Sequence, residues 1–406
     1  MQGTRSCLEA NISKISVVGV VRRRILAVLL PLFLTLPRRV NVTQLTLWGD
    51  WNETTYHNWL KKDLDLVSFN SDLIKEHGSG AHYVLFDPSF LNKSGKKTPS
   101  IGNFWSGCAS ASKRGLEMSC LAVADMTQHT AYHLSTCLTP APKDLKAKGQ
   151  TLVDFYAEEV LRHKDYIKHF GNMVVADGTF GAENFVRPLL LQGIAVTSTL
   201  KTNAALFYPP APVVGKRQRG RPKVKGERMD WQCPCADRLP IVKQDKEKIA
   251  RSGKVFCKSL KMNILLVAVD YLKADGTFKN RKLYFSTQIE AKPETILEIY
   301  QIRFQIEFLF RDAKQHTGLM HCQSTNITKI NNHLNLSLTA VSIAKATHWD
   351  KNPETPFSLA DIKTYYHNLR LLQLFSDAFG IDTNSINNNP KIQNILNSAT
   401  LKYNAA

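Results

Sequence analysis

Residues 291–316, AKPETILEIYQIRFQIEFLFRDAKQH, repeat apolar side chains at helical spacing while keeping a second stripe polar. At about 100° per residue, Ile299, Ile302, Ile306, Leu309, Phe310 and Ala313 fall roughly between −80° and −180°, a face that must pack against a core. Tyr300, Arg303, Glu307 and Lys314 stand in a band about 60° wide beside it, and Arg311 falls on the same side. A helix that only faces solvent scatters its charges and joins them in i,i+4 pairs. Here a phenol, a carboxylate and cations line up instead. The spacing predicts one helix over 291–316, packed on one face and chemically equipped on the next. A charged surface helix is the plainer alternative.

The chain around that helix is 406 residues long and 43% apolar, so it can bury the core of two or three domains and is not a disordered chain. Lys plus Arg outnumber Asp plus Glu by 53 to 34, a net charge of +19. Such an excess favours a polyanionic partner, nucleic acid before a membrane surface. The cysteines at 7, 108, 120, 137, 233, 235, 257 and 322 are too dispersed for a disulfide framework, which points to reduced thiols in a cytosolic protein. Cys233-Pro-Cys235 with Cys257 lacks the second pair that a zinc knuckle needs. The apolar run Ile25–Leu36 is too short to span a bilayer and has no cleavage site after it, so a buried helix is expected. The residues before Arg22 show little pattern and read as a loose leader or an over-extended start.

Five regions follow from the patterning. Residues 1–77 are helical. Within them Val42–Trp48, Gly49 and an Asn52-capped helix through Lys62 outline a helix-turn-helix, with a plain helical hairpin as the alternative. Thr54, Thr55, His57 and Asn58 are its candidates for DNA contact, and Trp51 and Trp59 are placed in the core. Residues 78–200 change period. Short strands are expected at His82–Phe86, Glu117–Met126, Ala131–Leu138, Asn172–Ala176 and Gly193–Leu200, with helices at 150–164 and Ala182–Gln192. The stretch NKSGKKTPSIGNFWSG reads as a loop. Residues 201–290 are a basic, β-rich insertion with strands at Asn263–Leu272 and Lys282–Thr287. Its Arg219-Gly-Arg-Pro222 is the core of an extended minor-groove reader, or else a flexible basic loop. Residues 291–325 carry the two-striped helix. Residues 326–406 return to helix and end in an Asn-rich tail that is expected to fray.

This order of strands and helices is that of a ribonuclease H-like α/β core, interrupted by an insertion and flanked by helical regions. In such a core carboxylates at strand ends protrude from a rigid sheet into a shared cleft. Asp87 ends the first apolar strand and Asp177 the fourth, although an Asp at a strand end is also a common turn-former. Two such acids with Glu307 on a helix form an oxygen-only donor set, which suits Mg²⁺. Two ions about 4 Å apart activate water or a 3′-hydroxyl and stabilise the leaving oxygen of a phosphodiester. Arg303, Lys314 and Tyr300 suit phosphate oxygens.

The run Tyr300-x2-Arg303-x3-Glu307-x6-Lys314 resembles the signature of DDE transposases of bacterial insertion sequences, in the insertion-sequence-four branch. Asp87-Pro-Ser and Asp177-Gly-Thr-Phe resemble the two Asp blocks of that family, and the likeness covers roughly residues 40–350. It implies that Asp87, Asp177 and Glu307 bind two Mg²⁺, with Mn²⁺ able to substitute. It also implies that Tyr300, Arg303 and Lys314 contact the transposon end. Arg311, Lys201 in Leu200-Lys-Thr-Asn203, and Arg219 and Arg221 join them as DNA-binding candidates. Relatives that form a DNA hairpin hold a flipped base on an aromatic side chain, and Trp231 is the one Trp of the insertion. The resemblance further implies a homodimer on double-stranded DNA, cutting at terminal inverted repeats and joining to a target, in the nucleoid-associated cytoplasm of a bacterium with no membrane partner. Two other readings stand beside it. One is a catalytically inactive DNA-binding protein derived from a transposase, acting as end-binder or repressor. The other is a structural or membrane-surface protein.

Overall fold

A computed structural model describes residues 7–15, 17–210, 223–232, 234–351, 354–381 and 389–401. Arg219, Arg221, Pro222, Cys233 and residues 382–388 and 402–406 of the Asn-rich tail lie outside the described residues. The chain opens with helices α1 (Cys7–Lys14), α2 (Val20–Thr35), α3 (Val42–Trp48), α4 (Glu53–Trp59) and α5 (Leu66–His77). Strands β1 (His82–Leu91), β2 (Gly102–Ser106), β3 (Ala111–Asp125) and β4 (Thr130–Leu138) follow. Next come α6 (Pro142–Ala147), α7 (Leu152–Arg162), α8 (Lys164–His169), β5 (Met173–Ala176), α9 (Glu183–Leu191) and β6 (Ala195–Leu200). The insertion adds β7 (Leu206–Phe207), β8 (Ile241–Gln244), β9 (Lys248–Cys257), β10 (Met262–Leu272) and β11 (Phe278–Ser286). Helices α10 (Pro293–Ile302), α11 (Phe304–His316), α12 (Ile327–Lys351), α13 (Leu359–Phe379) and α14 (Pro390–Leu396) complete a mixed α/β chain.

Two compact units divide it, one of residues 1–80, 88–144 and 305–406 and the other of residues 81–87 and 145–304. In the second unit, β1, β5 and β6 run parallel, with Val84–Phe86 facing Val174–Ala176 and Met173–Val175 facing Ala195–Thr197. Parallel strands need both faces covered, and β5 is a four-residue run, Met-Val-Val-Ala, buried throughout. The antiparallel β11, β10 and β9 extend the sheet from β6. Helix α7 starts at a capping box in which Thr151 Oγ1 accepts from Asp154 N and Asp154 accepts from Thr151 N.

In the first unit, β3 pairs antiparallel with β2 and β4, and Gly115 packs so closely on Phe90 and the Leu91 carbonyl that a side chain there would collide. Among the described strands, β4 pairs with β3 alone. Its other edge is covered by polar side chains of α12. Asn331 Oδ1 accepts from Leu138 N at 2.9 Å, and Asn335 accepts from Thr136 N at 3.0 Å and donates to Thr136 O at 2.7 Å. Ser342 Oγ accepts from His133 N at 2.7 Å, and Lys345 Nζ donates to Ala131 O at 2.9 Å. The side chains therefore do what a further strand would do for an open sheet edge.

Several expectations change. The described part of the leader forms a packed helix: α1 buries Leu8 and Ile12, and Asn11 donates to Thr347 and Asp350 of α12. The supposed loop between residues 92 and 107 contains β2. Strand β1 does not stop at Asp87 but runs through Pro88 to Leu91, and β9 is a further long strand whose mixed sequence hid it. Trp51 and Trp59 are half-buried, with Tyr56 taking the core position between them. The run Ile25–Leu36 does form a buried helix, and among the described residues no helix is long and apolar enough to cross a membrane. The helix over 291–316 is interrupted at Arg303, which ends α10 and precedes α11.

Candidate active site

Parallel pairing of β1 with β5 sets Phe86 opposite Ala176. The next residues are Asp87, within β1, and Asp177, just past the end of β5, so the two carboxylates follow the same paired position on neighbouring parallel strands. Both are half-buried. The backbone on each side is anchored by rings. Phe86 lies 5.2 Å from Phe180, which itself lies 5.5 Å from Tyr156 and 5.0 Å from Phe185. Phe180 is the last residue of the single 3₁₀ turn that Asp177 opens. The glycines of Asp177-Gly-Thr-Phe-Gly serve close approach: a Cβ at Gly178 would sit 2.6 Å from Thr199 Oγ1, and one at Gly181 2.7 Å from the Thr199 carbonyl. The Asp177 carbonyl accepts from Ser198 Oγ at 2.8 Å, which ties the turn to β6.

Tyr300 reaches this pair from α10. Its hydroxyl donates to Asp177 Oδ1 at 3.4 Å, and its ring meets Tyr284 edge-on at 5.1 Å. The side chain is buried rather than laid open along a helix face. Burial raises its pKa first, and the Asp177 charge adds to that, against the lowering effects of Thr199 and Arg303; the phenol therefore stays protonated and remains a donor. Arg303 is 6% exposed, its guanidinium 5.6 Å from the Tyr300 ring and 4.8 Å from that of Phe304. The structure brings Asp87, Asp177, Tyr300 and Arg303 into one unit.

Glu307, Arg311 and Lys314 belong to the other unit, on α11. Ile306, Leu309, Phe310 and Ala313 are buried, as the apolar stripe requires, and Glu307 is exposed in the first turn. Lys314 Nζ donates to Ser89 Oγ at 2.9 Å, and Ser89 stands two residues beyond Asp87 in β1. Arg311 pairs with Asp312 at 3.2 Å and lies 4.8 Å from the Phe308 ring. Lys201 is exposed just after β6. In the insertion, the Trp231 ring lies 4.3 Å from the Arg281 guanidinium, which pairs with Asp270, itself joined by Arg251 at 3.0 Å. At the proposed helix-turn-helix, Asn52 Oδ1 accepts from Thr55 N at 2.9 Å, Thr54 and Asn58 are exposed, and His57 contacts Lys329.

Among the described residues, no group of three or more His, Cys, Asp or Glu side chains lies close enough to hold a metal ion. The Asp87–Asp177 pair nonetheless has the chemistry of a hard-cation site. It is oxygen-only, fixed by a sheet, and supported by a neutral donor on one of the carboxylate oxygens. Sequence reasoning missed two supporting residues, Thr199 and Ser198, because an ordinary Thr-Ser-Thr strand carries no sign that it backs a turn.

Residues 126–343 match the family of transposase DDE domains. That span is more than half of the chain, and the chain belongs to this DDE transposase family. The matched span includes Asp177, Tyr300, Arg303, Glu307 and Lys314 and leaves Asp87 outside it. Comparison with curated protein sequences gives no match. Among solved structures, the chain is similar to the piggyBac transposase in its synaptic complex with hairpin DNA. The TM-score is 0.41 at 13% identity, over 97% of this chain and 82% of that one, a likeness too distant to bear on fold or mechanism.

Proposed function

We propose that this transposase acts on the terminal inverted repeats of its own insertion sequence, by metal-dependent cleavage and strand transfer, and that it belongs to the insertion-sequence-four branch with the Tyr-Arg-Glu-Lys signature. The observation that carries the reading is the placement of Asp87 and Asp177, each one residue beyond the paired Phe86 and Ala176 of adjacent parallel strands. Parallel β1, β5 and β6 in one unit, with antiparallel β3 and β4 in the other, support a ribonuclease H-like core. Glu307 is the third acid of the proposed triad, and its support is the signature spacing. Two Mg²⁺ held by these acids would supply an activated water or 3′-hydroxyl and charge stabilisation of the leaving oxygen. The chain's own residues hold the acids in place: Tyr300 orients Asp177, Arg303 stays charged beside the phenol, and Lys314 binds a phosphate of the transposon end. Arg311, Lys201, Arg219 and Arg221 are further DNA contacts in this reading. Double-stranded DNA, bound by a homodimer at the bacterial nucleoid, is the partner.

The test is nicking of duplex DNA that bears the element's ends, with and without Mg²⁺. Asp177→Asn and Glu307→Gln should each lower the rate at least on the order of a thousandfold, since a lost ligand removes several kcal/mol of charge stabilisation. Parental cleavage by either variant overturns the triad. End binding by the parent without cleavage in Mg²⁺ or Mn²⁺ favours the inactive end-binder instead.

A further inference from the structure

A second concentration of positive charge lies in the first unit, in a cavity of about 290 Å³ lined by Arg39, Asn92, Lys93, Ser94, His321 and Gln323. At about 30 Å³ per water it holds roughly ten waters, room for one phosphate group with its hydration. No carboxylate lines it among the described residues. That sets it apart from the cavity beside α11, where Arg311 already faces Asp312.

The cavity is built rather than incidental. Val40 N donates to His321 Nδ1 at 3.1 Å, so the neutral ring carries its proton on Nε2 and keeps a donor. Gly318 has φ +72°, and a Cβ there would come within 2.7 Å of both His321 Nδ1 and Val40 Cβ. The turn can pack only with glycine at that position. His333 Nε2 donates to the Gly318 carbonyl at 2.8 Å and fixes the turn from behind. Lys93 spends one of its three donors on the Cys322 carbonyl and retains two. Burial first, and then the positive field of Arg39, Lys363 and Lys93, holds the His321 pKa below its ordinary value. A field of one sign with no counter-charge is what an absent anion would relieve.

We propose that this cavity seats one backbone phosphate of DNA, with Arg39 and Lys93 supplying charge and His321 a neutral N–H donor. The assignment rests on the transposase reading for the identity of the anion. Within this unit, Lys93 follows just after β1, four residues beyond Ser89, which holds Lys314. His321 follows seven residues after Lys314. Both chain segments that carry the Lys314 contact therefore continue into the cavity, as a track for successive phosphates would.

Two measurements test it on the full-length protein. In the first, inorganic phosphate is titrated into protein carrying ¹³C-labelled histidine, with His321→Gln used to assign the ring signal. The His321 signal should shift in the parent and stay still in Arg39→Gln/Lys93→Gln. In the second, binding of duplex DNA is followed against salt. The double variant should lower the slope of log K against log salt by about 2, and each single variant by about 1. Arg39 is exposed, so Arg39→Gln leaves folding intact, and Lys164→Gln on α8, also exposed, should leave binding nearly unchanged. A His321 signal indifferent to phosphate overturns the anion seat. DNA binding with a slope indifferent to both substitutions overturns this assignment alone. A parent that takes phosphate at His321 yet binds no DNA overturns the DNA assignment and the transposase reading together.

Discussion

The two units satisfy their sheets by opposite means. Around Asp87 and Asp177 the second unit uses rings, and Phe86, Tyr156, Phe180 and Phe185 hold the backbone through ring packing. In the first unit the open edge of β4 is covered by a buried helix whose inward side chains are Asn331, Asn335, Ser342 and Lys345. Ring packing is non-directional and tolerates small shifts, whereas a polar ladder must be complete, since any missing member leaves a buried group unpaired.

The largest expected effect tests the apolar side of this contrast. Phe180→Ala removes the ring that touches Phe86, Tyr156 and Phe185 and should destabilise the fold by about 3–5 kcal/mol. Urea unfolding reads it, and Phe180→Leu should recover much of the loss because shape matters more than aromaticity. The polar side should fail differently. Asn335→Ala leaves Thr136 N and O unpaired in the interior, at about 1–3 kcal/mol each, with an expected total of about 2–6 kcal/mol. Asn335→Leu, similar in size, should be no better, and that opposite response to an apolar replacement is the discriminating result.

A third prediction depends on pH. Burial, more than any neighbour, lowers the Lys345 pKa to about 8. Its unfolded value is about 10.4. With the folded pKa the lower of the two, the unfolded chain binds more protons between those values, so stability rises with pH across that window and the penalty is full below pH 8. The rise from this residue is bounded at about 3 kcal/mol. Lys363, also lowered to about 8, contributes in the same direction. Only the difference between parent and Lys345→Met isolates Lys345. Denaturant unfolding at pH 7.5 and pH 10 should show the parent gaining on the variant as pH rises, and a constant difference refutes the account.

How much of this was legible in the sequence follows from the same contrast. Apolar periodicity announced β5 and β6 of the second unit, where Met-Val-Val-Ala before Asp177 is a run that suits a buried strand. It also placed the buried face of α11. The interruption at Arg303 was hidden because the apolar spacing runs through it unbroken. Helix α12 carried no warning of its role, since asparagine, serine and lysine on a helix ordinarily indicate solvent. Strand β9 was masked by Arg251, Ser252 and Lys254, whose partners, such as Asp270, lie on other segments. The Tyr-Arg-Glu-Lys spacing was legible, but the burial of Tyr300 and Arg303 was not, since spacing gives the face of a helix and not what packs on it.

The smallest predicted effect bears on the polar contact that reaches Asp177 from α10. Tyr300→Phe keeps the ring against Tyr284 and removes only the hydroxyl that donates to Asp177. If the ring alone mattered, the variant would cleave DNA as the parent does. If the hydroxyl orients the carboxylate, the apparent affinity for Mg²⁺ should fall about 10- to 100-fold, the range for a partner that holds a ligand in place. Activity should then return at high Mg²⁺, since the ligands themselves are intact. Thermal unfolding should move little, because the cavity created is no larger than a hydroxyl. A Mg²⁺-independent loss would instead put the hydroxyl on the DNA. A loss that follows unfolding would make Tyr300 part of the packing, and the contrast between an apolar frame and a polar support for Asp177 would no longer hold.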